Sequence, residues 1–159
     1  MRVVVATALL LATLAAPASA QEKKTPYWAS IASGKAMMRT GPGRNYPGVW
    51  LYQRRDLPIR VLKTFPNWRY IQDPDGTKGW MLVSLLSDRR TALVKAGDPR
   101  PVRTDPSTGA RVRYLVEPGV VGRIDKCGGE FCRIEIGKKK GFIATGDIYG
   151  LSPGERFDD

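Results

Sequence analysis

The chain has 159 residues, with 26 Lys and Arg against 15 Asp and Glu, a net charge of +11, two cysteines and no histidine. Without histidine there is no Ser-His-Asp or Cys-His nucleophilic centre, and two cysteines alone do not furnish a four-ligand zinc site. The positive charge fits anionic partners such as wall polymers, lipid phosphates or acidic glycans, and equally a basic, solubilising coat on small domains.

Residues 1–20 read as a signal peptide: Arg2 at the start, an apolar run from Val3 to Ala16, and the small residues Ala18-Ser19-Ala20 before a cleavage site at Gln21. The run is shorter than the roughly 20 residues a membrane-spanning helix needs. A periplasmic or secreted protein with no transmembrane segment after cleavage is expected. Residues 21–27 are polar, contain Pro26 and read as a flexible lead-in.

From Trp28 onward short strands alternate with turns. Gly41-Pro42-Gly43, Pro47-Gly48, Pro66-Asn67 and Pro74-Asp75-Gly76 punctuate the first stretch; Gly97-Asp98-Pro99, Pro118-Gly119 and Gly128-Gly129 punctuate the second. Strands are predicted at 49–52, 59–62, 68–71 and 79–83, then at 113–116, 120–124, 132–136 and 141–144. Turn signals every eight to twelve residues with period-two alternation predict an all-β barrel or sandwich. Val83–Ser87 and Thr145–Tyr149 each predict a single helical turn. The tail, residues 151–159, carries Pro153, Gly154 and Asp158-Asp159 and reads as loose.

The two stretches are copies of one unit. Arg39-Thr40-Gly41-Pro42 returns as Arg103-Thr104-Asp105-Pro106, Trp68-Arg69-Tyr70-Ile71 is answered by Cys132-Arg133-Ile134-Glu135, and Gly79-Trp80-Met81 by Gly141-Phe142-Ile143. Three matches in one order at a nearly constant offset predict two modules, 28–88 and 89–150. Residues 28–87 carry 9 basic and 3 acidic side chains, and residues 88–150 carry 13 and 8, so the charge is spread over both.

Cys127 and Cys132 enclose Gly128-Gly129-Glu130-Phe131. In an exported chain an even cysteine count and a turn-forming insert favour a structural disulfide across a hairpin. A redox pair, more typically Cys-x-x-Cys at a helix start, is the weaker alternative.

The repeated unit resembles the bacterial SH3-like domain. Arg39-Thr40-Gly41-Pro42-Gly43, Tyr46-Pro47-Gly48, the Trp68–Ile71 strand and Asp75-Gly76-x-x-Gly79-Trp80 carry the resemblance. The second copy departs from it at Asp105 and Phe142. The resemblance implies two tandem SH3-like β-barrels forming an exported accessory or targeting module. Its expected partner is cell-wall peptidoglycan; an envelope protein, bound by a scaffold-type module, is the alternative.

No catalytic residue, metal site or cofactor is predicted. Asp73, Asp75 and Asp105 flank prolines, where turn chemistry accounts for them. Binding candidates are aromatic and basic, the aromatics of the first unit being Tyr46, Trp50, Tyr52, Trp68, Tyr70 and Trp80. Trp68 or Trp80 is expected in the core, because a small barrel needs large side chains to fill it. Tyr46 and Tyr52 flank arginine-rich loops and are expected to be exposed. With Arg44, Arg54 and Arg55 they predict a shallow groove that stacks on sugar or peptide and pairs with carboxylates. Lys138-Lys139-Lys140 reads as a solvated hairpin tip. Arg-aromatic interleaving also fits nucleic acid, but export makes a physiological nucleic-acid partner improbable.

Overall fold

The computed structural model describes residues 23–158, so the signal segment predicted at 1–20 lies outside the described residues. The first unit has seven strands: β1 (Tyr27–Ile31), β2 (Ala36–Arg39), β3 (Gly48–Tyr52), β4 (Pro58–Phe65), β5 (Trp68–Gln72), β6 (Lys78–Leu82) and β7 (Leu86–Ser87). The second repeats them as β8 (Thr91–Val94), β9 (Arg100–Arg103), β10 (Val112–Val116), β11 (Val121–Gly128), β12 (Phe131–Ile136), β13 (Lys139–Ala144) and β14 (Ile148–Tyr149). A 3₁₀ turn precedes the last strand of each, at Val83–Leu85 and Thr145–Asp147, where the sequence places single helical turns.

The strand order is the same in both sheets: β3-β2-β6-β5-β4-β1-β7 and β10-β9-β13-β12-β11-β8-β14. Strands β1 to β6 all supply one cluster, including Ile31, Met38, Ile59, Val61, Ile71 and Met81. A single sheet whose strands all face one core must curl around it. The second sheet does the same around Val94, Val102, Ile124, Ile134 and Ile143. The chain is thus all-β, built as two tandem SH3-like units.

The two core clusters are mostly aliphatic, with Tyr52 the aromatic member of the first; of the two tryptophans expected in the core, Trp68 is buried and Trp80 is not. Trp68 is buried but stands outside the core cluster. Trp80 is half-buried; it sits 5.2 Å from Tyr70 and 6.2 Å from Phe65, ring centre to ring centre. Residues alternate faces along a strand, so with Ile71 and Met81 pointing inward, Tyr70 and Trp80 pack on the outer face.

Two glycines show why the repeat keeps them. Gly79 and Gly141 lie where β6 and β13 pair with the strands bearing the repeated arginine, β2 and β9. A Cβ on Gly79 would lie 2.9 Å from the Arg39 carbonyl oxygen, and one on Gly141 would lie 2.8 Å from that of Arg103. Gly79→Ala and Gly141→Ala are each expected to destabilise by about 1–3 kcal/mol, the usual cost of overpacking. Chemical denaturation would show it as a lowered midpoint with the slope unchanged.

The hairpin match between the units is shifted by one residue from the sequence alignment. Phe65 pairs with Trp68 and Gly128 with Phe131, so Trp68 corresponds to Phe131 and Ile71 to Ile134. Cys127 and Cys132 are cross-strand partners with a Cα–Cα distance of 4.1 Å, and they form the disulfide across the Gly129-Glu130 turn. Gly129 takes a positive φ of 65° there, which glycine adopts without a Cβ penalty.

The tail corrects another expectation. β15 (Phe157–Asp158) pairs with β11, and Leu151 and Phe157 pack on the second core. The Arg90 guanidinium donates to Glu155 at 2.6 Å and stacks 4.4 Å from the Phe157 ring centre.

Candidate functional site

The units meet through a polar joint. Ser30 and Thr91, both buried, contact each other at 2.7 Å, while Ser30 also donates to the Arg89 carbonyl and Thr91 to the Asp56 carbonyl. The Trp28 indole N–H donates to Ser152 Oγ at 2.9 Å, and its ring stands edge-on to Tyr149 at 4.9 Å. Leu93 and Val121 of the second unit pack against the first core.

A groove of about 600 Å³ opens beside this joint. One wall is β3, with Trp50 and Tyr52, which share a face because alternate strand residues point the same way. A second is the turn from Asp73 to Thr77. The second unit closes it with Leu93 and Gly119.

Asp73 organises that turn. One carboxylate oxygen accepts the amide N–H groups of Asp75 (3.0 Å) and Thr77 (2.8 Å); the other accepts the Tyr52 hydroxyl at 2.9 Å. The Asp73 carbonyl accepts the Tyr149 hydroxyl at 3.2 Å, tying the turn to the second unit. Burial, reinforced by the Asp73 carboxylate, pushes the Tyr52 phenol above its ordinary value. Burial and the Asp73 charge likewise raise Tyr149, to about 12. Both phenols are therefore neutral hydrogen-bond donors across the ordinary pH range.

Of the five binding residues proposed from sequence, the structure brings Tyr52 and Arg54 together on the groove. Arg54 donates to the Gly119 carbonyl of the second unit. Tyr52 is not exposed as expected: only 5% of it is accessible, because its ring enters the core and its hydroxyl is spent on Asp73. Arg44 and Tyr46 are exposed on the loop before β3, at the opposite end of that strand from Arg54, and Arg55 is exposed beyond Arg54. The single groove expected from all five thus divides between the two ends of β3. The Tyr46 ring lies over Gly41, and its carbonyl accepts from the Arg39 guanidinium at 2.7 Å. Arg103 makes the same bond to Ala110 in the second unit, also at 2.7 Å, so this part of the loop is built twice as scaffold.

Asp75 and Thr77 are groove residues that sequence reasoning did not assign to the site, and Trp50, one of the aromatic candidates, was not placed in the groove. Trp50 is 60% exposed. The available signal was its position two residues before Tyr52 on an edge strand, where a large apolar side chain lacks a covering neighbour.

Family models match the chain at residues 32–88 and 96–150, both as the bacterial SH3 domain. The chain belongs to the bacterial SH3 domain family. That is a family of binding modules, and this protein carries two copies. Among solved structures it is similar to NlpC2 from Trichomonas vaginalis (13% identity, 80% of this chain and 49% of that one, TM-score 0.35). It is also similar to NlpC1 from the same organism (13% identity, 82% and 48%, TM-score 0.34). The chain spans about half the length of these structures. No curated protein matches the sequence. Among the described residues, no helix is long and apolar enough to cross a membrane.

Proposed function

We propose that the protein is a non-enzymatic, exported binding module that recognises peptidoglycan or another cell-envelope component through the groove beside the joint. The observation that carries this reading is Trp50, an aromatic ring 60% exposed on the wall of a groove of about 600 Å³. Aromatic faces with a few convergent polar groups are the ordinary equipment of a ligand site. Membership of a binding-domain family supports it, as does the signal pattern at residues 1–20. Tyr52 and Arg54 belong to this site; Arg44, Tyr46 and Arg55 extend the contact surface along the flanking loops.

Co-sedimentation of residues 21–159 with purified sacculi across a salt series tests the reading. Retention is expected at physiological salt and above, because stacking and close polar contacts are screened less than diffuse charge. Trp50→Ala is expected to weaken retention about tenfold, the scale of an aromatic anchor. Release at low salt, or no binding, would leave only charge attraction.

A protein ligand is the second reading. It is favoured by β3, an edge strand whose Val49, Trp50 and Leu51 are all exposed; such an edge accepts an added strand. Envelope cross-linking that recovers no protein would argue against it.

A further inference from the structure

The second repeat offers an internal comparison for the first repeat's groove. Trp50 pairs with Met38 on β2, and Tyr114 pairs with Val102 on β9. Met38 and Val102 are equivalent core residues, so Trp50 and Tyr114 occupy the same register position. In the second repeat that aromatic is already engaged: the Lys139 ammonium lies 5.4 Å from the Tyr114 ring centre. The ring's negative face attracts a cation at this range.

The first repeat has the same aromatic without the cation. Lys139 is the first residue of β13 and pairs with Ile136 across the Gly137-Lys138 turn. Its counterpart is Thr77, whose carbonyl accepts the Asp73 amide across the turn Pro74–Gly76. Thr77 is short and neutral, and it lines the groove with Trp50. The longer turn adds Asp75, an exposed carboxylate that also lines the groove. Among the described residues Asp75 makes no ion pair and no cation lies over Trp50. Asp73 is already occupied by Tyr52 and two backbone amides, which leaves Asp75 as the available anion.

We infer that the groove binds a primary ammonium group of its ligand, held between the Trp50 ring and the Asp75 carboxylate. The second repeat's own Lys139 on Tyr114 is the intramolecular version of that contact. This rests on the reading that the groove is the ligand site, and it differs in sign from a groove that pairs arginines with carboxylates. An aromatic face and a carboxylate together favour an ammonium over a neutral sugar, since both contacts vanish with the charge.

The probe is Nα-acetyl-lysine amide, whose one charge is the side-chain ammonium, titrated into residues 21–159 while indole resonances are followed by NMR. Its control is the same compound acetylated on the side-chain nitrogen. The first is expected to shift the Trp50 indole signal, with the control at least about tenfold weaker. Asp75→Asn, at an exposed position, is expected to abolish the preference, and Trp50→Leu, read from the backbone amide signals of Asp75 and Thr77 because it removes the indole, is expected to do the same. Thr77→Lys would supply the ammonium from the chain itself and block the probe. Equal binding of probe and control, binding of neither, or a preference that persists in Asp75→Asn would overturn the inference. Sacculus retention with no ammonium preference would sink this inference alone, whereas ammonium binding without sacculus retention would sink the wall reading and leave this one standing.

Discussion

Replacing Asp73 with alanine is expected to cost about 3 kcal/mol and to lower the melting temperature by roughly 10 °C. The carboxylate is 6% exposed and accepts three hydrogen bonds, from the amides of Asp75 and Thr77 and the hydroxyl of Tyr52. Bonds to a charged acceptor contribute about 1.5–3 kcal/mol each. Relief of the carboxylate's own desolvation offsets part of that sum but not all. The larger penalty lies in what is left behind, because the Tyr52 hydroxyl remains buried with its best acceptor gone. Asp73→Asn separates these effects. It keeps an oxygen for the two amides, and its NH₂ can donate to a rotated Tyr52 hydroxyl, so a loss of about 1 kcal/mol is expected. Urea denaturation of the three proteins checks the order. An alanine variant within about 0.5 kcal/mol of the parent, the usual range for surface substitutions, would show that the turn holds without its carboxylate. The same variant is expected to lose sacculus retention, because Asp75 and Thr77 are placed by the bonds that disappear.

The repeat and the turns made the fold legible in the sequence. Each hairpin carries its turn residues at the tip, and Gly79 and Gly141 mark the close strand contact where no side chain fits. The details that escaped have physical causes. Gln53–Leu57 is one residue longer than Glu117–Val120, and this moves the equivalences in β4 and β5 by one, a slip that an alignment of short motifs does not register; the longer turn before β6 adds a second. Of the two tryptophans, Trp68 is buried and Trp80 is not, because volume alone does not choose the core face. Alternation in β5 and β6 puts Ile71 and Met81 inside, so Tyr70 and Trp80 must face outward. The arginine neighbours of Tyr52 suggest a surface residue, although it ends a strand on the core face. Asp73 does serve turn chemistry, as its sequence context predicts, but its second oxygen reaches a tyrosine 21 positions away. Pattern reading sees local bonds and not such long-range ones. The groove is invisible to sequence for a related reason: it is closed by Leu93 and Gly119, and their position depends on how the units dock.

Deleting residues 151–159 is expected to cost the protein about 3–5 kcal/mol, enough to drop its melting temperature by 10 °C or more. Leu151 and Phe157 pack on the second core, and burying an aliphatic or aromatic side chain contributes about 1.5–3 kcal/mol when complete. Both are half-buried, so their combined share is closer to 2–3 kcal/mol. The remainder comes from Arg90, whose guanidinium loses both Glu155 and the Phe157 ring while staying largely enclosed, its side chain only 15% exposed. Trp28 loses its Ser152 acceptor as well, so the truncation loosens the joint between the units. The ion pair gives the docked tail a pH signature. Burial alone would raise the Glu155 carboxyl, but the Arg90 guanidinium and the Ser152 backbone amide outweigh it and hold it below its ordinary value of 4.5. A carboxyl depressed in the folded state stabilises above its unfolded value, and that contribution disappears as pH falls through the folded one. The full-length protein should therefore lose the ion-pair part of its advantage over the truncated form progressively below about pH 4.5, while keeping the part that Leu151 and Phe157 supply, and Glu155→Gln should lose that ion-pair part already at neutral pH. Thermal unfolding of the three proteins at pH 7 and at acid pH decides the point. Equal melting temperatures for the full-length and truncated chains at pH 7 would mean that the tail only lies against the second unit and does not hold it.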